Sequence, residues 1–334
     1  MRFGLFGGAH RAPTGASGDS QTYRRFIDYV AEAEQLGFTS VFLVEHHFTG
    51  SGQISASLTL LSYLAAMTST LRLGTAVTVL PWHNPVLLAE QAATVDLLSG
   101  GRLEFGVGRG YRPNEFHGFN VDPAEAADRY AECLDILLRS WTTDGRFSHE
   151  GKFWTFRDVV VEPKPAQSPH PPIWVAAGSE GSIRAAAASG YRLLLDQFAT
   201  PDQTFERIDW YRGATTAAGR VFDPRAVAVT RGLLLLESND PAVREAEVNR
   251  RITALGKINQ SSQVPGSSAP PTGSFFNDSR LSTEEAAILG PPDECVERLK
   301  VLEAAGVQTV LFNDLWGGAD RLRRFARDVM PAFA

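Results

Sequence analysis

The chain has 334 residues, of which 43% are hydrophobic, so it is long enough to bury a large core. Lys and Arg number 32 against 38 Asp and Glu, and this net charge of −6, with no long basic run, argues against a nucleic-acid partner. No apolar run approaches the ~20 residues that cross a bilayer, and the N-terminus lacks a signal-peptide pattern, so we expect a cytoplasmic protein. Cys133 and Cys295 have no Cys-x-x-Cys partner and are expected to be reduced packing residues.

The first half of the chain alternates short apolar runs with stretches of helical periodicity. Apolar residues at helical spacing, ended by glycines such as Gly37, predict helices, and continuous apolar runs predict strands that are buried on both faces. The predicted strands are Arg2–Phe6, the apolar part of Thr39–Phe48, Leu71–Leu80 and Leu103–Val107. The predicted helices are Tyr23–Leu36, Ala56–Met67, Pro85–Leu98 and Ala124–Trp141.

The second half continues the alternation after one insertion. Residues Gly145–Pro171 predict a hairpin followed by a proline-rich connector. The predicted strands are Pro172–Ala177, Tyr191–Asp196, Ala226–Leu236 and Thr309–Phe312. The predicted helices are Ile183–Ala188, Asp202–Ala218, Asp240–Leu255, Pro291–Ala305 and Arg321–Met330. Eight strands that alternate with helices predict an α/β fold, a (β/α)₈ TIM barrel that spans residues 1–334 as a single domain.

A long segment before the eighth strand, Lys257–Leu281, is rich in Ser, Pro, Gly and Asn and shows no apolar period. Loops of this length without secondary structure are usually active-site lids or disordered segments. We expect either a lid that closes over the site or a surface excursion that never touches it.

The second predicted strand ends in three ionisable residues, Glu45, His46 and His47. The C-terminal ends of barrel strands converge on one mouth, where such folds place their chemistry. One alternative is that these residues end the strand in a polar turn. Another is a metal-dependent hydrolase, but such a site needs further ligands at other strand ends, and strands five and six offer no histidine. We therefore predict a catalytic site without a metal.

An anion site is predicted at the same mouth. Gly178, Ser179 and Ser182 follow the fifth strand at the start of a helix, where free backbone N–H groups and the helix dipole favour a phosphate. Arg109, at the end of the fourth strand, can add a bidentate contact. The alternative is an ordinary N-cap that satisfies the helix itself. The glycine-rich run Gly106–Gly110 is not a dinucleotide fingerprint, because Tyr111 stands where that motif requires glycine.

Several segments that include these residues resemble the bacterial luciferase-like, flavin-utilising monooxygenases. The similar segments are EHHF at Glu45–Phe48, LGTAVTVLPWHNPVLLAEQAATVDLLSGGRLEFGVGRG at Leu73–Gly110, NEFHGF at Asn114–Phe119, VAAGSEGS at Val175–Ser182 and GPPDECVERLKVLEAAGV at Gly290–Val307. The resemblance implies a TIM barrel that takes reduced FMN from a separate flavin reductase. The reduced flavin reacts with O₂, and the resulting flavin hydroperoxide oxygenates a small organic substrate. The resemblance also implies a homodimer.

The resemblance assigns roles to individual residues. His46 matches the catalytic histidine, with Glu45 and His47 beside it. Cofactor binding falls on positions around the flavin phosphate and ring: Ala76, Val77, Arg109, Tyr111, Gly178, Ser179 and Ser182. Among these, Ala76-Val77 matches a non-prolyl cis peptide beside the flavin ring.

Two departures from luciferase bear on the reaction. Gly178 replaces a phosphate-side glutamate of luciferase and Gly108 replaces its reactive cysteine, which puts light emission and luciferase's own substrate in doubt. The main alternative is an oxidoreductase that transfers hydride with the deazaflavin F420 in the same barrel. A flavin-binding barrel without catalysis is a further alternative. The organic substrate is not named by the sequence.

Overall fold

The computed structural model describes residues 1–9, 16–50, 54–264, 266, 279–314 and 318–334. The strands are β1 (Arg2–Gly7), β2 (Ser40–Leu43), β3 (Arg72–Thr75), β4 (Thr78–Val79), β5 (Leu103–Gly108), β6 (Phe147–Glu150), β7 (Thr155–Val159), β8 (Ile173–Ala176), β9 (Arg192–Leu195), β10 (Val227–Leu235), β11 (Ile288–Gly290) and β12 (Thr309–Asn313). The helices are α1 (Ala16–Gln35), α2 (Ser57–Met67), α3 (Pro85–Leu98), α4 (Pro113–Gly118), α5 (Ala126–Thr142), α6 (Glu180–Ser189), α7 (Pro201–Ala217), α8 (Pro241–Gln260), α9 (Ser279–Leu281), α10 (Pro292–Ala304) and α11 (Gly318–Asp328).

Parallel pairing closes eight of the strands into a barrel. The order is β1, β2, β3, β5, β8, β9, β10 and β12, and β12 pairs with β1 again. Strand β4 continues the line of β3 beside β5, and β11 adds to β10. The predicted (β/α)₈ TIM barrel is thereby confirmed.

The barrel strands are apolar on both faces because each face meets a different apolar layer. Along β2, Val41 and Leu43 belong to the layer between the strands and the surrounding helices, whereas Phe42 belongs to a smaller cluster inside the barrel. The inner cluster consists of Phe42, Trp174, Leu194, Ala228 and Leu311, with Phe6, Ala76 and Val77 packed against it. The alternation follows the period of two of a strand and gives the barrel a filled interior.

A charged group inside the barrel fastens the N-terminal ends of the strands. The Glu104 carboxylate, 6% exposed, accepts hydrogen bonds from Arg72 Nε at 2.7 Å, Arg192 Nη1 at 2.9 Å and Trp174 Nε1 at 2.6 Å. A buried carboxylate is tolerated when charged and hydrogen-bonded partners surround it in this way. The end of the barrel opposite the predicted site is therefore closed by polar contacts.

Several element boundaries differ from the predictions. Helix α1 begins at Ala16 rather than Tyr23, and the predicted third strand breaks at Ala76 and Val77 into β3 and β4. Helix α4 and strand β11 were not predicted, because each is too short for an apolar period to be visible. The hairpin inserted after the predicted fourth helix is confirmed as β6 and β7.

The predicted loop Lys257–Leu281 is partly helical. Helix α8 extends to Gln260, and Ser279–Leu281 forms α9. Residues 265 and 267–278 lie outside the described residues, so the expectation of a lid lies outside them as well. Cys133 and Cys295 are both buried and unpaired, as expected, and burial raises the pKa of the Cys295 thiol to about 12.

Candidate active site

A cavity of about 1030 Å³ opens at the C-terminal ends of the barrel strands. Its wall includes residues that follow β1, β2, β5, β8 and β9, and its floor includes Phe6, Ala76 and Val77 from the inner cluster. Barrel enzymes place their chemistry at this end. The cavity is therefore where the predicted site residues are expected to meet.

The Glu45 carboxylate organises one side of the cavity. Its Oε1 atom accepts hydrogen bonds from His47 Nε2 at 3.2 Å, Trp82 Nε1 at 3.0 Å and His83 Nε2 at 2.9 Å. Burial alone would raise the pKa of Glu45, which is only 3% exposed, but the hydrogen bonds from His47, His83 and Trp82 outweigh burial and lower the pKa to about 2. Glu45 is therefore a carboxylate at neutral pH.

His46 is held by a second buried carboxylate. Its Nδ1 atom lies 3.1 Å from Glu115 Oε1, and the same oxygen accepts a 2.9 Å hydrogen bond from the backbone N–H of His47. A carboxylate at Nδ1 assigns the proton to that nitrogen and leaves Nε2 with a lone pair. Burial lowers the pKa of His46, and the Arg112 charge adds to this, although the hydrogen bond to Glu115 opposes both. His46 thus lines the cavity as a neutral imidazole at neutral pH.

His47 faces away from the cavity that His46 lines. Its ring packs edge-on against Phe119, with centroids 4.8 Å apart, and lies 6.1 Å from the Trp82 ring. Neighbouring residues of an extended chain point in opposite directions, which accounts for the difference between the two histidines. Through its hydrogen bond to Glu45, His47 holds that carboxylate in position.

Arg112 lies behind His46 and was not predicted. The side chain is 1% exposed and lines the cavity, and its Nε atom donates to Tyr111 Oη at 3.3 Å. Within the described part of the chain, Nη1 is enclosed without a hydrogen-bond partner. Tyr111 itself is 43% exposed and meets the His46 ring edge-on at 6.5 Å.

The other side of the cavity carries the predicted phosphate residues. Ser179 is the N-cap of α6, where its Oγ accepts from the Ser182 backbone N–H at 3.5 Å and lies 2.7 Å from Ser182 Oγ. Both serines and Arg109 are exposed and line the cavity. Gly178 precedes them, and Asp196 forms a 2.7 Å ion pair with Arg207 at the adjoining wall. A helix N-terminus with two hydroxyls and a guanidinium can receive a phosphate.

The peptide bond between Ala76 and Val77 is cis, as the resemblance predicts. Its residues lie on the floor between the two sides of the cavity. Gly108 lies directly beside them, because a Cβ atom there would stand 2.4 Å from Val77 Cγ2. The floor is consequently smooth and apolar at this point, which suits a flat ring.

A groove between α5 and α6 extends the cavity beyond the serines. Its lining residues recur three and four positions apart on each helix, so each helix contributes a single face. The α5–α6 groove is lined by Ala127, Tyr130, Ala131, Leu134, Asp135 and Leu138 of α5, and by Ser182, Ala185, Ala186 and Ser189 of α6. Among these residues, Asp135 carries the only charge.

The structure brings together most of the predicted site residues. Glu45, His46, Ala76, Val77, Arg109, Tyr111, Gly178, Ser179 and Ser182 all line the cavity, and His47 supports it from behind. Sequence reasoning missed Glu115, Arg112, Trp82 and His83. A signal was present, since all four lie in the segments that follow β4 and β5, at the same end of the barrel as His46.

Across the described residues, no group of three or more His, Cys, Asp or Glu side chains is arranged to hold a metal ion. No helix within the described ranges is both long enough and apolar enough to cross a membrane.

Comparison with known proteins gives a consistent family match. A family model described as luciferase-like monooxygenase matches residues 1–309. The oxygenase component of the flavin-dependent trigonelline monooxygenase from Acinetobacter baylyi is 28% identical, covering 100% of this chain and 96% of that protein. Two other curated relatives, 37% and 38% identical, are matched over only about half of their own length (49% each).

Solved structures share the fold over the whole chain. A monooxygenase from Streptomyces bottropensis superposes with a TM-score of 0.84 at 27% identity, covering 100% of both chains. The oxygenating constituent of 3,6-diketocamphane monooxygenase from Pseudomonas putida, in complex with FMN, has a TM-score of 0.79 at 20% identity and covers 100% of this chain and 99% of that one. An F420-dependent secondary alcohol dehydrogenase has the same TM-score of 0.79 at 17% identity, with the same coverage of 100% and 99%.

Proposed function

This chain belongs to the luciferase-like monooxygenase family, and from that premise we propose that it is the oxygenase component of a two-component flavin monooxygenase. It would receive reduced FMN from a separate flavin reductase and use O₂ to oxygenate a small organic substrate. The observation that carries the proposal is His46, a neutral base held by Glu115. It lies in a cavity whose far side has two hydroxyls and the Arg109 guanidinium, which has no partner among the residues that the structure describes. The proposal is supported by the Acinetobacter baylyi relative, which is the oxygenase component of a flavin-dependent monooxygenase.

The residues present fit FMN. Ser179, Ser182 and Arg109 would hold the phosphate, and Ala76 and Val77 would lie against the ring between that phosphate and His46. At the phosphate end, the hydroxyls of Ser179 and Ser182 bond to each other, and Arg109 has no hydrogen-bond partner among the described residues. A site with unused donors at one end and an apolar floor is what a ring linked to a phosphate requires.

The α5–α6 groove favours FMN over F420. F420 continues beyond its phosphate into an anionic tail, and the α5–α6 groove adjoins the proposed phosphate site. Asp135 would repel a tail that entered the groove, and none of the described residues that line it is a Lys or Arg that would attract one. FMN ends at its phosphate and would leave the groove to solvent.

The protein residues divide the work between them. Reduced FMN supplies the electrons that activate O₂ when it is bound. Nε2 of His46 takes and returns a proton at the reacting centre, and Glu115 keeps the ring in the tautomer that can do so. Glu45, fixed by His47, His83 and Trp82, keeps negative charge behind His46 and rigidifies the wall. The inner cluster below excludes water from the floor.

We also propose that the protein is a homodimer through α2 and α3. These helices expose a set of large apolar side chains, from 46% to 61% exposed, on adjacent surfaces: Tyr63, Met67, Leu87, Leu97 and Leu98. Large apolar side chains exposed in this number on two neighbouring helices suit a protein interface. Sedimentation of the wild type should give a dimer and that of Leu98→Glu a monomer, while a dimeric variant would locate the interface elsewhere.

The function is tested by mixing the protein with reduced FMN and ¹⁸O₂ in the presence of a panel of small organic compounds. We expect one atom of ¹⁸O in a product from at least one compound, and faster O₂ consumption when that compound is present. A parallel experiment supplies reduced F420 in place of FMN. Hydride transfer from F420 with no FMN-dependent oxygenation would overturn the proposal in favour of the alternative oxidoreductase.

A further inference from the structure

The most unusual side chain of the cavity is Arg112. It is among the largest fully buried side chains of the described residues, and it belongs to a residue type that is almost never fully buried without a partner. No carboxylate within the described ranges lies at ion-pair distance from its guanidinium. Among the described residues its side chain makes one hydrogen bond, from Nε to the Tyr111 hydroxyl at 3.3 Å, and its guanidinium lies 5.7 Å from the centroid of that ring.

The two buried carboxylates around His46 are already engaged with other donors. Glu115 accepts from His46 Nδ1 and from the His47 backbone, and Glu45 accepts from His47, Trp82 and His83. Nη1 of Arg112 is enclosed without an acceptor among the described residues. A buried charge with unsatisfied donors is costly unless a ligand completes it.

Two other arginines are as deeply buried as Arg112 but make longer-range contacts. Arg231, also 1% exposed, donates to the Asp196 and Thr230 carbonyl oxygens and to Thr204 Oγ1 at 2.6–3.1 Å. Arg251, 4% exposed, donates from Nη2 to Gln197 Oε1 at 2.7 Å, although its Nε, like Nη1 of Arg112, has no partner among the described residues. Arg231 and Arg251 therefore each join two structural elements, whereas the one hydrogen bond of the Arg112 side chain is to its neighbour in sequence.

From these contacts we propose that Arg112 is the anion-recognition residue of the substrate site, so that the substrate carries a carboxylate or another planar anionic group. This inference rests on the proposed function and adds the substrate class to it. A guanidinium presents donors in a fork that matches a carboxylate. An anion held there lies beside His46, so the rest of the substrate would extend over the cavity floor to the reacting centre. The phosphate residues Arg109, Ser179 and Ser182 remain available for the cofactor.

The test compares acids with their uncharged amides on the protein saturated with oxidised FMN, which occupies the phosphate end. The probes are two acid–amide pairs, benzoate with benzamide and butyrate with butyramide. Their binding is measured by the flavin difference spectrum and by the shift of the thermal midpoint. We expect at least one acid to bind about tenfold or more tightly than its amide, as a charged hydrogen bond predicts. Equal binding of acid and amide in both pairs would overturn the proposal.

Variants then locate the preference. Arg112→Gln should reduce the acid-to-amide ratio to near one, Arg112→Lys should retain part of it, and Arg157→Gln, the matched change at an exposed arginine of β7 outside the cavity, should keep it. A ratio unchanged in Arg112→Gln overturns the proposal, as does a loss of FMN affinity in that variant with the ratio intact, because Arg112 would then serve the flavin. If Arg112→Gln does not fold, the wild-type ratio and Arg112→Lys still decide the matter.

Failure of the proposed function is distinguishable from failure of this inference. If neither oxidised nor reduced FMN binds, the proposed function fails, and the same probe pairs are titrated against flavin-free Arg109→Gln protein. A preference for the acid that disappears when Arg112→Gln is added would support the anion site in the absence of flavin. No preference there would overturn it.

Discussion

At the His46 end of the cavity the carboxylates of Glu45 and Glu115 receive three and two hydrogen bonds respectively, and both side chains are at most 3% exposed. At the Ser179 end the two serine hydroxyls bond to each other and Arg109 is exposed without a partner in the described part of the chain. One end is assembled by the fold, and we propose that the other is completed by a ligand. Substitutions should therefore cost rate and stability at the first end, and affinity at the second.

The largest effect is expected at His46. His46→Gln removes the Nε2 base and should lower the rate of product formation by ~10²–10⁴-fold, the range for acid–base catalysis. Reduced-FMN affinity should change little, because the phosphate donors lie at the other end. The measurement is the rate of product formation, with the amount of product formed per flavin oxidised recorded beside it. His117→Gln, an exposed histidine on α4, is the matched control, and a rate equal to that of this control would remove His46 from the mechanism.

Glu45 tests whether the hydrogen bonds at the His46 end stabilise the fold. Its pKa falls from 4.5 to about 2 in the folded protein, so the charged form stabilises the fold above pH ~4.5 and this contribution, about 3 kcal/mol, is lost as the pH falls towards 2. Glu45→Gln should therefore lower the free energy of unfolding by about 2–3 kcal/mol at pH 7 and flatten its decline in acid. Urea unfolding at pH 7, 5 and 3.5 measures both.

The control for Glu45 is an exposed carboxylate. Glu206→Gln on α7 should change the free energy of unfolding by less than about 0.5 kcal/mol at every pH. If Glu45→Gln matches Glu206→Gln, the three donors around Glu45 do not stabilise its charge.

Arg109 tests the Ser179 end of the cavity, where we propose that a ligand binds. Arg109→Gln should weaken FMN binding by ~1.5–3 kcal/mol, the range for a hydrogen bond to a charged group, without lowering stability. Riboflavin, which has no phosphate, should bind the variant and the wild type alike. Fluorescence titrations with both flavins separate the two cases, and equal losses for FMN and riboflavin would show that Arg109 does not meet the phosphate.

The smallest effect is expected at Ser182. Ser182→Ala removes a neutral donor and should weaken FMN binding by ~0.5–1.5 kcal/mol, while the free energy of unfolding stays within about 0.5 kcal/mol of the wild type. Ser189→Ala, on the same face of α6 but farther along the groove, should leave FMN affinity unchanged. A stability loss in Ser182→Ala comparable to that of Glu45→Gln would erase the distinction between the two ends.

The fold was predictable because its signals are local. Helix α3 was predicted at its observed bounds, since Pro85 begins an apolar period and Gly100 follows its end. The split of the third strand was not predicted, because nothing in an apolar run indicates a break; the resemblance predicted only the cis peptide at Ala76-Val77. Helix α8 was predicted to end at Leu255, short of its observed end at Gln260, because the residues after Leu255 are mostly polar and continue no strong apolar stripe.

The site was predictable in part. His46 and the serines each follow an apolar strand, so their position on the barrel could be inferred. Glu115 could not be paired with His46 in advance, because the two are 69 residues apart and hydrogen-bond partners across a barrel leave no periodic mark. Arg112 was missed for a related reason, since its burial depends on how α4 packs against the segment that follows β2.

Gly108 beneath Val77 has a consequence for how this chain could change over evolutionary time. A Cβ at position 108 would lie 2.4 Å from Val77 Cγ2, so any side chain there, including the cysteine of luciferase, is obstructed by the present neighbour. The two positions are therefore epistatic: Gly108→Cys should be poorly tolerated alone and better tolerated after Val77→Ala. A lineage that acquires a thiol at this point of the floor must first shorten position 77, which makes the order of the two substitutions nearly obligatory.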